Sequence, residues 1–116
     1  IPELKGKLTG NAIRVPTPNV SLAILNLNFD KTVGSADELN AFIKEKSQSE
    51  QWQAQIDYSD SSEAVSTDFV GSKKVAIFDA KATIASDNRA TLYVWYDNEM
   101  GYSTQVIRVA EVMASN

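Results

Sequence analysis

Apolar and polar positions change period most sharply between Thr91 and Val109. From Thr91 to Tyr96, Leu92, Val94 and Tyr96 fall on one face of an extended chain and Tyr93 and Trp95 on the other, with no charge among them. Such a run predicts a strand buried on both sides. Asp97, Asn98 and Glu99 follow at once, then Gly101, and from Tyr102 onward Val106, Val109, Ala110 and Met113 recur at helical spacing. Strand, polar turn and helix are thus joined with almost no slack. That arrangement presents a few polar side chains at the mouth of a rigid support, where a flat organic ligand could rest against Tyr102.

The remainder of the chain supplies weaker patterns. Ile1 to Lys7, with Pro2 and Gly6, has loop character. Gly10 to Pro16 alternates, with Ile13 and Val15 opposite Ala12 and Arg14, and predicts a strand that Pro16 and Pro18 terminate. Val20 to Asp30 is the longest alternating run: Ala23, Leu25, Leu27 and Phe29 share one face, and Val20, Leu22 and Ile24 make the early part of the other face apolar too. That second patch suits either contact with another subunit or cover from the same domain. Ser35 and Glu38 have capping-box spacing ahead of a helical stripe of Leu39, Phe42 and Ile43. Ser47 to Ile56 predicts a further helical turn and Tyr58 to Ser62 a polar loop, while Val65 to Val70 fits a tight turn with Phe69 tucked inward. Val75 to Asp79 alternates as a strand, Ala82 to Ala85 as a short further one, and Asp87 and Asn88 suit a hairpin turn into Thr91. Together these patterns predict four or five largely antiparallel strands with two main helices packed on one face, an α+β architecture.

Composition narrows the chemistry. The 116 residues are 43% hydrophobic, enough for a core, and the formal net charge is -4, with no basic footprint for nucleic acid or an anionic membrane. No apolar run reaches the length of a membrane span and no signal peptide opens the chain, so a cytoplasmic location is expected. There is no cysteine and no histidine. That removes thiolate or serine–histidine catalysis, imidazole or thiolate metal sites and a neutral-pH imidazole base. The chain opens on Ile1 rather than methionine, which points to a cut segment of something longer.

Three residues draw attention, each with a structural alternative. Asn98 sits where the strand becomes the helix, and position alone favours a helix N-cap. Tyr102, one turn further on, has the place of a core aromatic on a buried helical stripe. Arg14 is the lone charge of an apolar strand, where pairing with a local carboxylate is commoner than ligand contact. Glu99 suits the first turn of a helix as an acid complementing its dipole, and Thr17, Asn19, Asp68 and Asp79 are expected to be structural.

Both ends of the chain resemble one family. WYDNE followed by GYS, directly after an apolar strand, and PELKGKLTG followed by RVPTPNVS, with DFVG and FDA between them in order, are similar to the catalytic domain of phosphorylating glyceraldehyde-3-phosphate dehydrogenases. The resemblance covers residues 1–116 and implies the C-terminal portion of that domain, with the dinucleotide-binding domain absent. It implies that Asn98 hydrogen-bonds the nicotinamide carboxamide of NAD, that the Tyr102 ring lies beside the nicotinamide, and that Arg14 helps bind inorganic phosphate or the phosphate of glyceraldehyde 3-phosphate. An amide carries the donor and acceptor the first task needs, and a planar charged fork suits a tetrahedral oxyanion. The resemblance further implies a homotetrameric parent in glycolysis, whose cysteine nucleophile, histidine base and Gly-rich nucleotide fold all lie outside this chain. NADP remains open, because the adenosine end would be read elsewhere. On this reading the segment is inactive alone. The alternative is a non-catalytic assembly or regulatory module that keeps the fold.

Overall fold

The strand from Arg89 to Tyr96 lies inside the sheet, as the uncharged, two-faced pattern of residues 91–96 requires. The computed structural model describes residues 1–115. Strands β1 (Ser21–Asn28), β2 (Ile56–Ser59), β3 (Ala76–Ser86) and β4 (Arg89–Tyr96) form one sheet in the order β1-β4-β3-β2. Both neighbours of β4 run antiparallel to it and only β2 and β3 are parallel, so the sheet is mostly antiparallel. With helices α1 (Ala36–Gln48) and α2 (Met100–Ala114) the architecture is α+β.

Asp87 and Asn88 make the two-residue turn of the β3–β4 hairpin, Asp87 at φ 53. Asn88 also fastens the end of β1: its Nδ2 donates to the Phe29 carbonyl, and its own carbonyl accepts from the Phe29 amide. The core sits on the face carrying Phe78, Ala80, Ala90 and Leu92, closed by Leu27, Phe29, Tyr58 and the α1 residues Leu39 and Ile43. The predicted capping box starts α1: Ser35 Oγ accepts from the Glu38 amide at 3.2 Å, and Glu38 Oε2 accepts from the Ser35 amide at 2.8 Å. Phe42 turns away from the core and is exposed, with Lys46 Nζ 5.3 Å above its ring.

Several expected elements take a different form. No strand forms at Gly10 to Pro16. Ile13 is 83% exposed there, because alternation alone cannot make a strand where no neighbouring chain accepts its backbone bonds. Tyr58 and Ser59, expected in a loop, belong to β2, whose Tyr58 ring packs against Phe78 at 5.8 Å. The two strands expected at Val75–Asp79 and Ala82–Ala85 are one, interrupted by a bulge. Its register runs from Asp79 opposite Tyr93 to Ile84 opposite Thr91, so β3 advances further than β4 over that stretch. The carbonyl of Ala80 in the bulge accepts from Asn40 Nδ2 of α1 at 3.0 Å, and that of Asp79 from Thr83 Oγ1 at 3.2 Å.

Helix α2 leaves β4 directly and is held at its first turn. Gly101 is buried, and a Cβ there would stand 2.8 Å from the Lys74 carbonyl oxygen. Further along, Arg108 Nη1 donates to the Ala54 carbonyl at 3.3 Å. Replacing Gly101 with Ala therefore sets a helix-propensity gain of up to about 1 kcal/mol against an overpacking cost of about 1–3 kcal/mol. We expect net destabilisation in urea unfolding of Gly101→Ala; a midpoint equal to or above wild type would mean that the Lys74 backbone yields freely.

Candidate functional site at the C-terminal end of the central strand

The sheet topology brings three chain segments to one end of the molecule. Because β1 and β3 both run against β4, the residues entering β1, those entering β3 and those leaving β4 meet there. The segments are 14–20, 70–75 and 97–102.

At their meeting point lies Asp97, whose side chain is only 2% exposed. Its Oδ1 accepts from the amides of Glu99 at 2.9 Å and Met100 at 2.8 Å, and its Oδ2 accepts from the Gly71 amide at 2.8 Å. The Asn19 side chain lies near enough to the carboxylate to favour its charged form. Burial on its own would raise this carboxyl's pKa, but the bonds from Gly71, Met100, Asn19 and Glu99 outweigh it and hold the pKa at about 2, below the usual 3.8. Gly71 can turn its amide inward because it adopts φ 83, which a side chain would resist.

The next link runs through Asn19. Its Oδ1 accepts from the Val20 amide at 2.8 Å. Val20 is buried and has φ 72, a conformation β-branched residues avoid. Such strain costs about 1–3 kcal/mol and persists only where the surroundings over-determine it. Ser21 follows, and its Oγ donates to Asn98 Oδ1 at 3.4 Å, a long and weak bond. Asn19, Val20 and Ser21 thus lead the chain into β1 close to Asp97 and Asn98, and the Ser21 bond joins them to the latter.

The site residues expected from sequence fall on this frame as follows. Asn98 is exposed and does not cap α2; Glu99 occupies the N-cap position, and the amides of Glu99 and Met100 are taken by Asp97 instead. The structural alternative for Asn98 is thereby overturned, because the carboxylate one residue earlier reaches those amides first. Tyr102 is 70% exposed, so it is not a core aromatic. Arg14 is exposed on the irregular arm leading to Asn19 and has no hydrogen bond or ion pair among the described residues, which overturns the expected pairing with a carboxylate. Topology places the Arg14 arm and Asn98 at the same end of the sheet, whereas no contact joins the two side chains.

Asp97, Ser21 and Gly71 are the residues that sequence reasoning passed over, whereas Asn19, expected to be structural, bonds the Val20 backbone. An Asp two and three residues ahead of free helix amides is a local signal that pointed to Asp97. The Gly71 bond spans 26 residues and has no local signal. Asp79, expected to be structural, is buried and accepts from Trp95 Nε1 at 3.0 Å, while the Trp95 ring stacks on Phe69 at 5.6 Å. Leu22 and Ile24, on the same sheet face as Trp95, remain exposed rather than covered by this chain. Among the described residues no group of three or more His, Cys, Asp or Glu could hold a metal ion, and no helix is long and apolar enough to cross a membrane.

Residues 1–98 match the family described as glyceraldehyde 3-phosphate dehydrogenase, C-terminal domain. A glyceraldehyde-3-phosphate dehydrogenase-like protein of Pseudomonas aeruginosa (strain UCBPP-PA14) is 60% identical over 98% of this chain and 24% of its own length. The cytosolic glyceraldehyde-3-phosphate dehydrogenase of Ginkgo biloba is 49% identical over 99% of the chain and 33% of its own, and the enzyme of Glossina morsitans morsitans 48% identical over 99% and 34%. The chain spans between about a quarter and a third of the length of these curated relatives.

The buried carboxylate makes stability depend on acid in a defined direction. With its folded pKa depressed to about 2 from 3.8, Asp97 contributes stability that is complete above the unfolded value and is lost as pH falls through the folded one. The difference in unfolding free energy between wild type and Asp97→Asn should therefore be largest near neutrality and shrink between about pH 4 and about pH 2. A difference that stays constant across that window would mean that the carboxylate charge adds nothing to the bonds.

Proposed function

Since the chain belongs to the glyceraldehyde 3-phosphate dehydrogenase family, we propose that it is the C-terminal part of the catalytic domain of an enzyme that converts glyceraldehyde 3-phosphate, NAD and phosphate to 1,3-bisphosphoglycerate and NADH. The observation that carries this reading is the division of labour at the end of β4. Asp97 satisfies the helix amides, so the Asn98 carboxamide has no structural duty there beyond a weak bond from Ser21. A carboxamide held by its oxygen and open at its nitrogen fits the carboxamide of a nicotinamide ring, which takes up the hydride when NAD is bound. The exposed Tyr102 ring, one helical turn on, supplies a flat apolar surface beside it.

Arg14 is assigned to phosphate, whether inorganic or part of the substrate. An exposed guanidinium without a partner among the described residues can meet an oxyanion with paired donors. The chain contains no cysteine and no histidine, so the nucleophile and its base must come from the rest of the enzyme, and the segment alone is inactive. The choice between NAD and NADP is made at the adenosine end of the cofactor, outside these residues. The open sheet face around Leu22 and Ile24 suits a homo-oligomeric parent, and the cytosolic relatives favour a cytoplasmic one.

In the intact enzyme, Arg14→Ala should raise the phosphate requirement, with a loss of about 1.5–3 kcal/mol for a charge-assisted bond; unchanged phosphate dependence removes Arg14 from the site. Asn98→Ala should impair use of NAD while leaving the melting temperature nearly intact, since Asp97 holds the helix start. A variant that melts early yet keeps its kinetics would contradict that assignment. The isolated 116-residue chain given aldehyde, NAD and phosphate should produce no nicotinamide absorbance, and turnover would show that its own side chains suffice.

A further inference from the structure

We infer that Ser21 is a positioning residue for the nicotinamide site, its hydroxyl pinning the Asn98 carboxamide by the oxygen so that the amide nitrogen is left for the cofactor. The inference rests on the functional reading above and adds to it a residue that touches no ligand. The β1–β4 ladder ends with Ser21 opposite Tyr96, and Asn98 lies two residues further on, a near neighbour of Ser21 across the end of the sheet. The two side chains meet there, Ser21 Oγ donating to Asn98 Oδ1 at 3.4 Å. The chain enters this position through strain. Val20, buried and β-branched, is held at φ 72, and its amide is taken by Asn19 Oδ1 at 2.8 Å. Outliers of this kind persist only where the surroundings over-determine them, and they cluster where geometry serves function. On the other side of the bond, Asp97 holds the amides of Glu99 and Met100, which fixes the backbone bearing Asn98 independently of Ser21. The freedom that remains to Asn98 is in its side chain, and Ser21 is the one hydrogen-bond partner of that side chain among the described residues. With the oxygen held, the two N–H donors are the open end of the group. A ligand that meets a group already held gives up less entropy on binding than one that must order it.

One neutral hydrogen bond sets the size of the effect. In the intact enzyme, Ser21→Ala should raise KM for NAD roughly two- to tenfold, with KM for phosphate and the melting temperature close to wild type. Ser21 is half-buried and loses only a hydroxyl, so the fold is not at stake. Ser21→Thr keeps a hydroxyl and should recover most of the loss. The decisive measurement is a double-mutant cycle with Asn98→Ala. Because Ser21 acts through the Asn98 side chain, Ser21→Ala should add nothing to the NAD defect once that side chain is gone. A hydroxyl that matters only to the entry of β1 would lower the melting temperature and leave use of NAD alone, or would act equally in both backgrounds. Either result overturns the role of Ser21, as does a Ser21→Ala enzyme with wild-type KM for NAD. In each of those cases the functional reading stands, provided that Asn98→Ala alone impairs use of NAD and keeps its melting temperature. If Asn98→Ala leaves use of NAD unaltered, the functional reading falls and the role of Ser21 falls with it.

Discussion

A buried carboxylate cannot be left without donors, and the requirement to supply them at Asp97 organises one end of this protein. A charged group taken out of water loses more than any single hydrogen bond returns. Asp97 is tolerated because backbone amides from two separate segments converge on it. Each donor comes from a piece of chain that has little other reason to sit there. Gly71 belongs to a short exposed turn, and Glu99 and Met100 to a helix start without a cap of its own.

The consequence for chemistry is a separation of roles between neighbours. Asp97 does the structural work and is inaccessible, so Asn98 is free of it and exposed. Sequence position made Asn98 the better candidate for the cap, and the two readings competed for one side chain. In the structure they belong to two side chains. The strained φ of Val20 is part of the same arrangement: it turns the chain where Asn19 Oδ1 takes the Val20 amide and Ser21 reaches the Asn98 carboxamide. Strain at such a place is maintained by contacts on either side.

Much of the fold was legible because it rests on local chemistry. The capping box of α1, the turn at Asp87 and Asn88, and the two-faced run of β4 each depend on residues within a few positions of one another. What depended on partners was hidden. The alternation at Gly10 to Pro16 is as regular as that of a true strand, yet nothing lies beside it. Tyr58 enters a strand because β3 accepts it in parallel, a pairing no local pattern announces. The bulge of β3 looked like a break between strands because its unpaired residues interrupt the period. For the site, motif similarity pointed to Arg14, Asn98 and Tyr102, while the residues that orient them were set aside, since a side chain bonded to backbone leaves no periodic trace.

The two-residue turn between β3 and β4 bears on how the molecule assembles. Those strands meet across a two-residue gap, whereas pairing β1 with β4 closes a loop of about 60 residues, from Asn28 to Arg89. On chain-entropy grounds the longer closure costs roughly 3 kcal/mol more. The hairpin is thus the inexpensive template, and β1 is the partner recruited to it. Ser21 travels with β1, so its bond to Asn98 depends on the closure that costs the most chain entropy.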